Sequence, residues 1–92
     1  MLELKGTEKQ IKWGKSIRKE IIENCEKEII FLEGVQDEKV SKGKKRNKTY
    51  DKKITKLKEI IEEVSNIEFA KILIEECRIK YSEYEIKRSF FM

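Results

Sequence analysis

Residues 2–18, LELKGTEKQIKWGKSIR, contain the signal that starts the first helix of this chain. Thr7 is followed three residues later by Gln10, a capping-box pattern in which each side chain bonds the backbone amide of the other residue. The first helix should therefore begin at Glu8. The rest of the chain offers apolar faces that this helix can cover.

Apolar residues recur at helical spacing after this start, which predicts one long helix over about residues 8–33, ended by Gly34 in a left-handed conformation. The stripe consists of Ile11, Gly14, Ile17, Ile21, Ile22, Cys25, Ile29 and Leu32. A glycine inside a helix costs about 1 kcal/mol relative to alanine. We therefore expect a second helix to approach closely at Gly14.

Arg18 falls in the middle of this apolar stripe. An unpaired buried charge costs several kcal/mol, so the guanidinium must find a partner or extend to solvent. A salt bridge to Glu75 or Glu76 is the favoured interpretation. Contact with a ligand or a phosphate is the alternative.

Two further helices complete the predicted fold, a single all-α domain over residues 1–92 built as a small bundle. Helix 2 should span about residues 50–64, where apolar residues keep one helical stripe. Ser65 and Glu68 form a second capping box, so helix 3 should span about residues 66–88. A charged fraction of 43% and the absence of proline agree with long helices.

The last third of the chain leaves two interpretations open. If helix 3 is continuous, a second apolar seam lies opposite its core face and suggests a homodimer. The seam residues are Ile72, Ile79, Ile86 and Phe90. If a capping box at Ser82 and Glu85 breaks the helix instead, a short helix 4 folds Ile86 back onto the core.

A Lys/Arg-rich loop is predicted between helices 1 and 2, over residues 34–49. From Lys39 to Lys58 there are ten Lys or Arg residues and one acid, a net charge of +9, whereas the rest of the chain carries −5. Such a run predicts a mobile, self-repelling loop. It can bind DNA, RNA or an acidic protein surface, and a solvated loop without any partner is the alternative. The candidate contacts are Lys42, Lys44, Lys45, Arg46, Lys48 and Lys52. A second candidate patch on helix 1 comprises Lys9, Lys12, Lys15 and Lys19, with Arg18 beside it.

Catalytic and metal-binding patterns are missing from the sequence. The chain has no histidine, no glycine-rich phosphate loop and no nucleophile motif, which argues against an enzyme, a metal site or a cofactor. Cys25 and Cys77 are predicted to be core thiols. No stretch approaches the roughly 20 apolar residues of a membrane span, so we expect a cytoplasmic protein without membrane contact.

The opening segment resembles the start of a group of small phage, plasmid and integrated-element proteins with the pattern L-x-G-T/S-x-K-Q-I-x-W-A-x-x-I-R. The matching residues are Leu4, Gly6, Thr7, Lys9, Gln10, Ile11, Trp13, Ile17 and Arg18, and Gly14 replaces the usual Ala. Residues 69–74 resemble the group's later A-k-x-W-I-D core without its Trp and Asp. The resemblance implies a mobile-element origin and brings no reaction with it.

Three functions fit these observations. The first is a non-enzymatic phage or mobile-element inhibitor, of the anti-CRISPR type, that occludes a host effector protein or nucleoprotein complex. The second is a nucleic-acid-binding module or regulator that uses the basic loop. The third is a helical assembly protein in which the basic loop is incidental.

Overall fold

The longest element, α1, extends from Glu8 to Ser41 and runs the length of a molecule that measures 54 × 24 × 14 Å. The computed structural model describes residues 2–88, without the side chains of Tyr84, Lys87 and Arg88. The predicted start of α1 is confirmed, because the Thr7 hydroxyl accepts from the Gln10 amide at 3.2 Å and the Thr7 amide donates to Gln10 Oε1 at 3.0 Å.

The predicted end of this helix at Gly34 is wrong, because α1 continues through that glycine for two more turns. Gly43 provides the left-handed residue instead, with φ +76°. The Lys44 amide donates to the Lys39 carbonyl at 2.9 Å and the Gly43 amide to that of Val40 at 3.0 Å. These are the two bonds of a Schellman motif, which satisfies the last carbonyls of the helix.

Helix α2 spans Lys48–Ser65 and packs antiparallel along the C-terminal half of α1. Asn47 caps it by accepting from the amides of Thr49 and Tyr50. Its start two residues before the predicted one, together with the longer α1, shortens the predicted loop of residues 34–49 to residues 42–47. The buried stripe of α2 comprises Ile54, Leu57, Ile60 and Val64.

Of the two interpretations of the last third of the chain, the uninterrupted helix is wrong. The chain forms α3 (Ala70–Ile72), a π-helical turn (Leu73–Cys77) and α4 (Arg78–Lys80), then breaks before α5 (Glu83–Arg88). The alternative of a break at Ser82 is confirmed by the gap between Lys80 and Glu83, where the Ser82 hydroxyl accepts from the Glu85 amide at 3.3 Å.

The break removes one member of the predicted self-association seam. Ile86 is 2% exposed and belongs to the core, because α5 folds back against α1. Ile79 at 68% and Ile72 at 36% do face solvent. Phe90 lies outside the described residues. A continuous apolar seam along one helix is therefore not formed.

The N-terminal segment runs beside the linker between α2 and α3. The Lys5 amide donates to the Glu68 carbonyl at 2.7 Å, and the Ala70 amide donates to the Lys5 carbonyl at 3.0 Å. The resulting parallel bridge between Lys5 and Phe69 is the only β-type pairing within residues 2–88. Phe69 is extended in this pairing, with φ −101° and ψ 122°, and Asn66 is the C-cap of α2, which explains why α3 starts at Ala70 and not at the predicted residue 66.

The described residues confirm the all-α prediction, with α1, α2 and the α3–α5 segments around one core. Cys25 and Cys77 are free, buried core thiols as predicted. Burial, assisted by Glu26, raises the pKa of the Cys25 thiol to about 11, so it is held in its neutral form. Across residues 2–88, no helix combines the length and apolar character that a bilayer span demands.

Candidate nucleic-acid interface

The loop between α1 and α2 is fastened to α1 by Gln36, which is completely buried. Gln36 Nε2 donates to the Asn47 carbonyl at 2.8 Å, and the Asn47 amide donates to Gln36 Oε1 at 2.9 Å. The same amide nitrogen of Gln36 lies 3.1 Å from Asp51 Oδ1. The end of the loop, which the sequence predicted to be mobile, therefore has a defined backbone position.

We call the six candidate residues of this region, together with their backbone, the basic tip. Its members are Lys42, Lys44, Lys45, Arg46, Lys48 and Lys52. All six are exposed, and they lie where α1 ends and α2 begins. The structure thus brings this predicted set together at one end of the long axis.

Two members of the basic tip are neutralised internally. Arg46 Nη2 donates to Asp51 Oδ1 at 2.7 Å, and Lys42 Nζ lies 2.9 Å from Glu38 Oε1. The hydrogen bond from Arg46 holds the pKa of the Asp51 carboxyl below its ordinary value of 3.8, and the same bond raises the pKa of Arg46. Arg46 therefore links the loop to α2, whereas the pair of Lys42 with Glu38 is an exposed contact at the end of α1.

The remaining four members carry no such partner. Lys44, Lys45, Lys48 and Lys52 make no ion pair with any residue of the described range 2–88. Grouping four like charges destabilises the folded state, and α2 adds the positive end of its dipole at the same place. These four ammonium groups are available to bind an anionic partner.

Lys53, one of the lysines in the basic run, is buried. The side chain of Lys53 is 1% exposed, and its Nζ lies 3.1 Å from Glu28 Oε1 on α1. Sequence reasoning missed this pair and also missed Gln36. The available signal was helical spacing, since Lys53 stands four residues before the core residue Leu57, and Gln36 stands four after the core residue Leu32.

The second candidate patch lies far from the basic tip. Its members are all exposed and occupy the N-terminal third of α1: Lys9, Lys12, Lys15 and Lys19. At 1.5 Å per residue, Lys15 and Lys39 are about 36 Å apart along the helix axis. Lys19 lies 4.0 Å from Glu23. The structure therefore does not join the two patches into one surface.

Arg18 is a structural residue in this fold, and its predicted salt bridge to Glu75 or Glu76 is absent from the ion pairs of the described residues. Its Nη1 donates to the Leu2 carbonyl at 2.8 Å and its Nη2 to the Ile67 carbonyl at 2.7 Å. Burial lowers the pKa of Arg18, whose side chain ties the N-terminal segment to the α2–α3 linker. At 5% exposure, it is not accessible to an external phosphate.

A separate cleft of about 440 Å³, lined by both charged and apolar side chains, lies between α2 and the break before α5. The Tyr81 hydroxyl donates a hydrogen bond to Glu63 Oε2 there, and the Lys80 ammonium lies 5.0 Å from the Tyr81 ring centroid. Burial, then the bond to Glu63, raises the pKa of the Tyr81 phenol, which favours its protonated form. Residues 2–88 contain no group of three His, Cys, Asp or Glu side chains arranged to hold a metal ion.

Comparisons of this chain with protein-family models, with curated proteins and with solved structures gave no match. The fold and the surface therefore define the protein only as a small helical bundle with a basic tip. The resemblance to mobile-element proteins stays a prediction.

Proposed function

We propose that this protein is a noncatalytic binding protein that attaches through its basic tip to the phosphate backbone of a nucleic acid. The observation that carries the proposal is the group of four exposed lysines without an internal ion-pair partner. Each phosphate that such a lysine neutralises releases counterions and adds a salt-dependent increment of affinity.

The anchoring of the loop supports this function. Gln36, Asn47 and the Arg46–Asp51 pair fix the backbone that carries the lysines. A surface whose shape exists before binding loses less conformational entropy when the partner arrives. These residues therefore hold the shape of the binding surface, and the four lysines attract the negatively charged partner.

The biological role that we propose for this attachment is inhibition of a host nucleoprotein effector, as in anti-CRISPR proteins. Guide RNA or bound DNA in such an effector offers the phosphates that the basic tip would contact. The sequence resemblance to mobile-element proteins supports this role. A regulator that binds nucleic acid alone is the second candidate, and it uses the same charge.

Fluorescence anisotropy with a labelled duplex of about 20 base pairs tests the binding function, starting at about 50 mM salt, where phosphate contacts are strongest. The first variant replaces Lys44, Lys45, Lys48 and Lys52 by Gln. The matched control makes the same change at Lys9, Lys12, Lys15 and Lys19, so both variants lower the net charge equally.

We expect the tip variant to lose at least tenfold in affinity and the control to lose less than threefold. Helical circular dichroism should be unchanged in both. Equal losses would show that net charge, and not the basic tip, attracts the polyanion. A wild type that binds no duplex at about 50 mM salt would refute the proposed function.

Capture from a nuclease-treated host lysate tests the proposed inhibitory role. We expect a nuclease effector to co-purify with the wild type and not with the tip variant. Capture that is independent of the four lysines would separate the inhibitor function from the basic tip.

A further inference from the structure

We infer that the basic tip recognises the charge of a duplex backbone and does not read base sequence. The inference rests on the proposed function and adds which nucleic acids bind. It follows from the internal hydrogen bonds and ion pairs that side chains in this region make in the folded chain.

Two side chains in or beside the basic tip, those of Arg46 and Asn47, have geometry suited to base edges, and both make internal hydrogen bonds. Arginine reads guanine and asparagine reads adenine through paired hydrogen bonds. Arg46 instead directs Nη2 and Nε at the Asp51 carboxylate, at 2.7 and 3.3 Å from Oδ1. Asn47 Oδ1 accepts from the Thr49 amide at 2.8 Å and from the Tyr50 amide at 3.3 Å. Paired hydrogen bonds to a base from Arg46 Nε and Nη2, or from the Asn47 amide group with its Oδ1, would require the loop to give up bonds that hold it.

Gln36, the third residue of this kind nearby, is buried and bonded to both backbone groups of Asn47. The four unpaired residues are all lysines. A lysine ammonium can also donate to guanine. On its flexible stem, however, it acts as a compact point charge without the planar fork of arginine, and most hydrogen bonds from proteins to DNA go to the phosphates and sugars. The groups free to meet a partner therefore sense phosphate and not sequence.

The region around the basic tip has no fully exposed aromatic ring, which disfavours the binding of single strands. Proteins that bind single strands stack bases on exposed rings. Tyr50 is the only aromatic residue between Lys39 and Lys58, its side chain is partly buried against the core, and the Lys39 ammonium lies 5.3 Å from its ring centroid. Because no open ring is offered, the higher charge density of a duplex should decide the preference.

The number of free lysines sets the expected salt dependence. Four phosphate contacts on B-DNA give a slope of about −3.6 for the logarithm of affinity against the logarithm of salt concentration. Raising salt from about 50 to 200 mM should then weaken binding by about a hundredfold. Lys48 and Lys52 lie one turn apart on α2 and so face the same side, next to the two lysines of the loop.

The test uses the full chain and three probes: a pool of random-sequence duplexes, the same length of single strand, and polyglutamate. We expect no motif to be enriched from the pool, a salt slope between about −3 and −4 that falls towards zero in the tip variant, and tighter binding of duplex than of single strand. Polyglutamate should bind at least tenfold more weakly than duplex.

Enrichment of one motif by tenfold or more would overturn the inference while leaving the proposed function intact, and so would tighter binding of single strands. Equal or tighter binding of polyglutamate would overturn the assignment to nucleic acid and point to an acidic protein. Absence of binding to every probe at about 50 mM salt would refute the proposed function itself.

An Arg46→Gln variant provides the internal control for the inference. If Arg46 only shapes the loop, this variant should show the same indifference to sequence as the wild type. Its salt slope should also stay within one unit of the wild-type value. If the wild type prefers certain base sequences and Arg46→Gln does not, then Arg46 reads bases, and the inference is overturned.

Discussion

A Cβ atom added to Gly14 would lie only 3.0 Å from the Cβ atom of Ala70, so α1 and α3 meet without room for a methyl group. The close approach predicted at Gly14 is confirmed. We expect Gly14→Ala to lower the free energy of unfolding by about 1 kcal/mol, because overpacking outweighs the gain in helix propensity. Urea denaturation followed by circular dichroism measures the difference.

Gly34→Ala is the matched control, because it makes the same change in the same helix. A Cβ atom at Gly34 would have no neighbour within 4 Å. This variant should therefore be more stable than the wild type, by about 0.5–1 kcal/mol. Shifts of the same sign at both glycines would contradict the assigned contact.

Replacement of Arg18 by Met should destabilise the protein by about 2–3 kcal/mol, because the carbonyls of Leu2 and Ile67 lose charged donors. Hydrogen exchange should show faster exchange of the Lys5 amide, which is bonded to the linker. Arg18→Lys should not restore stability, since one ammonium lacks the fork that spans two carbonyls. An equivalent change at exposed Arg78 should cost about 0.5 kcal/mol or less. A Lys variant as stable as the wild type would argue against the two-carbonyl clamp.

Gln36→Ala should loosen the basic tip and lower stability by about 2 kcal/mol, since both backbone groups of Asn47 lose their partner. The Asn47 amide should exchange faster with solvent deuterium. Gln36→Glu keeps the acceptor for that amide but removes the donor and places a carboxylate beside Asp51. If the Glu variant proves as stable as the wild type at neutral pH, the donated bonds contribute nothing.

Asp51 should make stability depend on acidity. Because its folded pKa is held below 3.8, mainly by Arg46, its contribution is present above the unfolded pKa and is lost as pH falls through the folded one. The stability difference between wild type and Asp51→Asn should therefore shrink as the pH falls below about 4. Urea unfolding at pH 7, 4 and 2.5 measures it. A difference that is constant over this range would mean that the ion pair does not form in solution.

Ile86→Lys should unfold the protein or destabilise it by more than about 3 kcal/mol, because it places a charge in the core. Ile79→Lys, at a residue that is 68% exposed, should change stability by about 0.5 kcal/mol or less. Sedimentation of Ile79→Lys should match the wild type. If the wild type is a dimer that this variant dissociates, the exposed Ile72 and Ile79 form a self-association surface after all.

The start of α1 was predictable because a capping box is a local signal, and the core stripes were predictable because burial follows helical period. The end of α1 was not, because Gly34 and Gly43 are equally suited to a left-handed stop. The choice depends on Gln36, which lies beyond Gly34 on the buried stripe and whose partner is the loop backbone. Hydrogen bonds between a side chain and backbone atoms cannot be predicted from the spacing of residue types in the sequence.

The basic tip was predictable as a set of residues, since charge is visible in composition. The sequence did not reveal which of these cations form internal ion pairs and which do not. Arg46 is paired because its loop directs it towards Asp51, and Lys53 is buried because α2 rotates it towards Glu28. The carboxylate partners expected for Arg18 were also wrong, because its acceptors are the backbone carbonyls of Leu2 and Ile67, which lie outside the helices.

The two hydrogen bonds of Arg18 to the Leu2 and Ile67 carbonyls, which we call the Arg18 clamp, also predict the order in which parts of the protein fold. The clamp joins residues 49 positions apart in the chain, whereas α1 and α2 are neighbours connected by a short loop. Closing a long chain segment costs more entropy than closing a short one, so the α1–α2 hairpin should form before the N-terminal segment docks. Substitutions at the clamp should then accelerate unfolding and leave the folding rate almost unchanged. Arg18 would thus govern how long the native state persists more than how quickly it is reached.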